Sequence, residues 1–202
     1  MPRVGQYVFD VALGRYRHLG TGRLVATSEV RAALDGALIA ASERARSLAD
    51  GLRAGRLNLA QFERAMRRLV KETQLYGAAA AKGGFAQMGP ADYGRVGARV
   101  RGQYEWLDGF VQGIASGDVP MDGRLLARAA MYAQAARGAF YAQAQADARA
   151  RGRTEERSVL HPADHCAECV DMAALGWVPI GTVVPVGERE CLSHCRCTIT
   201  YR

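Results

Sequence analysis

The chain has 202 residues and a mass of 21.8 kDa, enough for one medium domain or a domain with a small appendage and too little for a large multidomain enzyme. Hydrophobic residues make up 49 % of it, but 36 of them are alanines and aromatics reach only 7 %, so closely packed helices are favoured over a β-rich core. Lys plus Arg total 27 against 20 acidic residues, a net charge of +7; Lys71 and Lys82 are the only lysines, so the basic character is arginine. No stretch approaches the ~18 apolar residues of a membrane span, and Met1 to Asp10 lacks a basic segment followed by an apolar one. The expectation is a soluble, unexported protein with no membrane partner.

Taken in chain order, Tyr16-Arg17-His18-Leu19 and Arg23-Leu24-Val25 are β-prone runs around a Gly-Thr-Gly turn, which predicts a small hairpin or an extended arm within residues 1–27. His18 reads as a surface or turn residue. Thr27 or Ser28 can cap a first helix whose apolar stripe is Val30, Leu34, Leu38, Ala41, Ala45, Leu48 and Leu52. Asn58 with Gln61 three residues on resembles a capping box for a second helix, with stripe Leu59, Phe62, Met66, Leu69, Thr73 and Tyr76, stopped by Gly83-Gly84. Pro90 suits the first turn of a third, with stripe Tyr93, Val96, Val100, Tyr104, Leu107, Phe110 or Val111 and Ile114 before Gly117.

Asp122 can cap a fourth helix carrying Leu125 or Leu126, Ala129, Tyr132, Ala136, Phe140 and Ala144 on one face and arginines or glutamines elsewhere. The alanine-rich stretch Ala127 to Ala150 is unusually long, yet its regular Tyr and Phe placement predicts a packed helix with a narrow seam. The fold class expected is mainly α: a bundle of long helices, a small N-terminal hairpin or arm, and a small Cys-rich zinc-binding module at the C-terminus.

Charge and cysteine divide the chain at one place. Residues 1–157 carry a net charge of +9 and no cysteine; residues 158–202 carry −2 and all five cysteines. Cys166-X-X-Cys169 is a knuckle that lets two thiolates converge on one metal, and Cys191, Cys195 and Cys197 supply a second group. Four thiolates from five cysteines make one structural zinc site, with Cys166, Cys169, Cys191 and one of Cys195 or Cys197 favoured, and His165 and His194 as substitute ligands. A unit of some 45 residues with few large apolar groups needs such a staple. Two disulfides with a spare thiol, or a redox Cys-X-X-Cys, are the other uses of these residues.

Catalytic motifs are missing: there is no deaminase His-X-Glu ahead of Pro-Cys-X-X-Cys, no Gly-X-Ser-X-Gly, no phosphate loop and no His-Glu-X-X-His. The expectation is a protein that is not an enzyme, with no catalytic residues assigned. A metal-dependent nuclease built on His161, Asp164 and His165 is one alternative, as part of a phage-borne nuclease or toxin-like enzyme. A zinc-ribbon nucleic-acid binder using Arg64, Arg67, Arg68 and Lys71 is another.

The series Cys166-X-X-Cys169, Gly176-Trp177-Val178-Pro179-Ile180-Gly181, Pro185-X-Gly187 and Cys191-X3-Cys195-Arg196-Cys197 resembles the tail of the phage head-morphogenesis, or minor head protein, family. Members typically carry a Cys-X-X-Cys and end in a His-Pro-Asn-Cys-Arg-Cys type segment after a helical body. Here Cys191 stands roughly where the family's His stands and the Pro is missing. The resemblance covers about 40 residues closely, and the remainder only through weaker cues such as Thr21-Gly22-Arg23-Leu24-Val25 and Met131-Tyr132-Ala133. It implies a virion protein, assembled in the host cytoplasm, that contacts portal or major capsid protein and, through Arg-rich helix faces, packaged DNA. The zinc module would then be a structural cap rather than a reaction centre.

Overall fold

The computed structural model describes residues 6–10 and 13–202; the first five residues of the expected arm, and 11–12, lie outside it. The class is mainly α. A strand the sequence did not show, β1 (Tyr7–Asp10), joins the expected hairpin of β2 (Arg15–His18) and β3 (Leu24–Val25), giving a three-stranded antiparallel sheet in the order β1-β2-β3. Phe9 pairs with Tyr16 across β1 and β2, and their rings meet edge to face at 5.0 Å. His18 sits at the turn, its Nδ1 accepting the Gly20 N–H.

Helix α1 (Thr27–Arg53) starts one residue earlier than a Thr27 or Ser28 cap allows. Ala26 occupies the cap position, and Glu29 reaches back to accept its backbone N–H. Helix α2 (Leu59–Lys82) has the reciprocal cap the spacing predicts: Asn58 Oδ1 accepts from Gln61 N, and Gln61 Oε1 from Asn58 N, each at 2.9 Å. It ends at Gly83, whose left-handed φ of 92° and close approach to the backbone of Phe9 exclude a side chain. Helix α3 (Pro90–Ser116) begins on Pro90 and stops at Gly117, as expected. Its buried stripe differs at the start: Asp92 turns inward and Tyr93 outward, 45 % exposed.

The expected fourth helix is two. Asp122 caps α4 (Gly123–Gln134), and after Ala135 the chain continues as α5 (Ala136–Ala150). No proline or glycine marks this break. It falls where α2 comes closest: a Cβ on Gly77 would lie 2.3 Å from the carbonyl oxygen of Ala136. The alanines of both helices serve this approach. Helix α5 is packed by α2, α3, α4 and the C-terminal strand, so it buries Arg137, Gln143 and Asp147 as well as Phe140, against the expectation that its polar residues would face solvent.

Two cores result. One joins the second half of α1 to α2, α3 and α4 around Phe62, Phe110 and Tyr132. The other joins Tyr16, Val25, Leu34, Leu38 and Phe140 to Cys169, Val183, Val186, Cys195, Cys197 and Ile199. The segment after α5 is therefore not a free-standing knob. Strand β4 (Glu155–Val159) straddles the division expected between 157 and 158, and pairs antiparallel with both β5 (Val178–Pro179) and β6 (Thr198–Tyr201).

Candidate metal centre

The cysteines reach one place through three short elements. Cys166 is the residue before α6 (Ala167–Ala174), and the Cys169 N–H returns to the Cys166 carbonyl at 3.1 Å, which closes the Cys-X-X-Cys turn. Cys191 and Cys195 flank a single 3-10 turn, Leu192–His194. Leu192 adopts φ 44°, the one left-handed non-glycine among the described residues, a conformation that persists only where its surroundings hold it. Cys197 leads directly into β6.

Cys169 lies at the centre of the group. Its Sγ is 3.5 Å from that of Cys191 and 3.6 Å from that of Cys195. The donor atoms of Cys166, Cys169 and Cys191 all lie within 4.8 Å of one another, as do those of His165, Cys169 and Cys197. A disulfide would need sulfurs about 2.05 Å apart. Zinc–sulfur bonds of about 2.3 Å in a tetrahedron set sulfur–sulfur edges of about 3.8 Å, close to the observed spacing. All five expected cysteines are thus brought together, with Cys195 beside Cys169 and Cys191, and Cys197 on the side of His165.

His165 is oriented as a donor. Its Nε2 lies 2.7 Å from the His161 carbonyl, which can only accept, so Nε2 carries a proton and Nδ1 is the ring atom turned toward the sulfurs. That Nδ1 lies 3.6 Å from Cys197 Sγ. His161 itself is bound through Nε2 to Thr198 Oγ1. Among the described residues, His161, Asp164, His194 and Cys195 belong to neither donor cluster; Cys195 joins the group through the 3.6 Å approach of its Sγ to Cys169, whereas the trio His161, Asp164 and His165 is not brought together as a donor set.

The electrostatics favour a cation among the sulfurs. Burial, followed by the neighbouring thiols of Cys169, Cys166 and Cys195, pushes the Cys191 thiol far above its ordinary value. Burial and the thiols around it push Cys197 up to about 12. Cys195 goes the other way: burial opposes its ionisation, but the Cys197 N–H, the Cys191 and Cys169 thiols and the Arg189 charge together hold it below an ordinary thiol. A bound cation would supply the positive charge that ionisation of the raised Cys191 and Cys197 thiols calls for.

Arg189 lies beside them, fully buried. Its Nε donates to the Val184 carbonyl at 2.8 Å, and its Nη1 to Ser158 Oγ at 3.0 Å and toward Cys169 Sγ at 3.7 Å. Its Nη2 has no partner, and no carboxylate lies within ion-pair distance among the described residues. A buried guanidinium without a carboxylate is costly; a metal–thiolate cluster, anionic overall, would compensate it. Glu156, equally buried, is satisfied instead by the N–H groups of Gly181 and Val183 and by Gln145.

The body grips the cysteine backbone as well. Arg137 Nη1 donates to the Cys195 carbonyl at 3.1 Å, and the Tyr141 hydroxyl to the Cys197 carbonyl at 3.2 Å. Sequence reasoning found none of Arg137, Tyr141, Glu156 and Arg189. Arg189 stands between Glu188 and Glu190 and reads as a solvated charge run, and only Tyr141, next to Phe140, carried even an apolar signal. On the remote face of α2, Arg67 is tied to Glu63 and Asp108 and lies over the Tyr104 ring, while Arg64, Arg68 and Lys71 face solvent.

Fold and site define a mainly helical protein whose clustered C-terminal Cys and His residues can hold a metal ion. No protein-family model, curated protein or solved structure matches the chain.

Proposed function

We propose that this chain is a phage virion assembly protein of the head-morphogenesis type, acting through protein–protein contacts at the portal or inner capsid surface, with one structural zinc in its C-terminal segment. The observation that carries the reading is the convergence of four cysteine sulfurs on the fifth, that of Cys169, beside the uncompensated Arg189, within the stretch that resembles the family tail. Cys166, Cys169, Cys191 and Cys195 hold the metal, and Cys197 and His165 adjoin it. The ion supplies folding energy and charge balance rather than a reaction centre.

Its mechanical role follows from where the ligands sit. Cys166 and Cys169 sit just before and within the first turn of α6, and Cys191 and Cys195 flank the turn before β6, so one ion ties both ends of the segment together. Arg137 and Tyr141 tie that segment to α5. A protein built this way presents a rigid surface to a partner without relying on a large apolar core. Exposed apolar side chains at the seam, Trp106 at 69 % and Leu192 at 46 %, border a groove of about 560 Å³ between α3, α4 and the cysteine turn, which supports protein contact there.

Co-expression with the portal and major capsid proteins of the same genome tests this reading. Assembled particles are expected to carry the chain in a few copies, counted by mass spectrometry, and to lose it when Cys169→Ser removes the metal. Particles that assemble without it, while the free protein is metal-loaded and folded, would contradict the assembly role and leave the metal site standing.

A further inference from the structure

Two cavities meet at Arg196. One, about 270 Å³, opens between α1, α5 and the Cys195–Thr198 strand entry and is lined by Ser28, Arg31, Arg137, Tyr141 and His161. The other, about 360 Å³, runs on between α1 and α4 past Arg46, Gln134 and His194. Asp35, Arg137 and Arg196 line both, so they form one groove along α1.

Arg196 is placed there by its neighbours. Cys195 and Cys197 are buried and Arg196 between them is exposed, the alternation of an extended chain. The same two residues whose sulfurs turn toward Cys169 therefore direct the intervening guanidinium outward into the groove.

The groove's charges do not cancel. Arg137 is paired with Asp35 at 2.7 Å, and Arg46 with Glu43 at 2.6 Å, which uses both carboxylates. Arg31 and Tyr141 line the same cavity, and neither Arg31 nor Arg196 has a carboxylate within ion-pair distance among the described residues. His161 adds a ring whose Nε2 is bound to Thr198, and Ser28 a hydroxyl in the first turn of α1, where backbone N–H groups also favour an anion.

We infer that this groove is a phosphate-binding site, with Arg31 and Arg196 as its two guanidinium forks and Ser28 as a hydroxyl donor. Planar forks match the oxygens of a tetrahedral oxyanion in pairs. The phosphate comes either from a free or esterified phosphate or from the diester backbone of nucleic acid; the chemistry at the two arginines is common to both. The site is separate from the exposed arginines of α2.

The full-length protein is titrated with inorganic phosphate, followed by the amide and arginine Nε signals in NMR, and with a mixed-sequence 12-base-pair duplex, followed by fluorescence anisotropy. Arg31→Gln and Arg196→Gln are each expected to weaken binding about tenfold, the scale of one charge-assisted contact, and Arg64→Gln/Arg68→Gln to leave it within about twofold. Duplex binding displaced by phosphate assigns the diester backbone; phosphate shifts without duplex binding assign a small phosphate ligand. No saturable response to either probe, or equal losses in the α2 variant, overturns the inference. Metal content is measured on every sample. A metal-loaded protein that ignores phosphate leaves the zinc reading intact, whereas a metal-free protein that binds phosphate through Arg31 and Arg196 upholds the inference and removes the zinc.

Discussion

The core around Phe62, Phe110 and Tyr132 packs apolar side chains between helices that could be read from their stripes, and the buried charged residues among those described lie outside it. The core around α5 and the cysteines buries Arg189 and Glu156 completely, and Arg137, Gln143 and Asp147 nearly so. The first needs only burial of apolar area to hold. The second holds charges that must be matched one by one, and for Arg189 the match is the sulfur cluster. That difference makes the two halves respond oppositely to metal, to pH and to substitution.

The largest effect expected is from Cys169→Ser, which removes the sulfur shared by both donor groups. Loss of metal is expected to lower Tm by about 10 °C or more, with new protease cuts between 160 and 202. Because Cys169, Cys195 and Cys197 share a core with Leu34, Leu38 and Phe140, the start of α1 and α5 should loosen too, while the far core stays protected in hydrogen exchange. Uniform loss of protection across all helices would erase the distinction between the halves.

Arg189→Met sharpens it further. In metal-loaded protein it should weaken metal binding about 10- to 100-fold, the usual consequence of removing a group that supports the ligands, read by competition with a chromophoric chelator. In metal-free protein the same change should be neutral or stabilising, since it removes a buried charge that nothing pairs. Equal destabilisation in both forms would show that Arg189 is not balanced by the cluster.

Gly77→Ala tests the helix approach on which the second core is hung. Its Cβ would meet the Ala136 carbonyl at 2.3 Å, so α2 and α5 must part, at a cost of about 1–3 kcal/mol measured by urea denaturation. A smaller acid effect comes from Asp92. Burial raises its carboxyl, but the Gly89 N–H, Gln143, Lys82 and Arg95 together hold it below the usual carboxylate range. Its stabilisation is therefore fully present above about pH 4, the unfolded value, and is lost as pH falls toward the lower folded value. Asp92→Asn should flatten the urea midpoint between pH 5 and pH 3.

What could be read in advance was what is local. The Asn58–Gln61 cap, Pro90, Asp122 and the stops at Gly83 and Gly117 depend on neighbours a few positions away. The helix stripes needed only their own periodicity. The strands β1, β4 and β6 were not legible: each is four or five residues long, and β4 finds its partner some 40 positions further on. The break at Ala135 and the inward turn of Asp92 come from packing by other helices, which leaves no trace in local pattern. The cysteines announced themselves by type and spacing. Arg189 did not, because a buried cation and a solvated one look alike in sequence until the sulfurs are placed around one of them.

The central claim is that the second core is held by a metal on the cysteines. Elemental analysis of protein purified without chelator, with a count of reactive thiols before and after chelation, tests it most directly. About one zinc per chain, with four thiols protected until the metal is withdrawn, is the predicted result. A folded protein with no metal and all its thiols either freely reactive or joined in disulfides would contradict it.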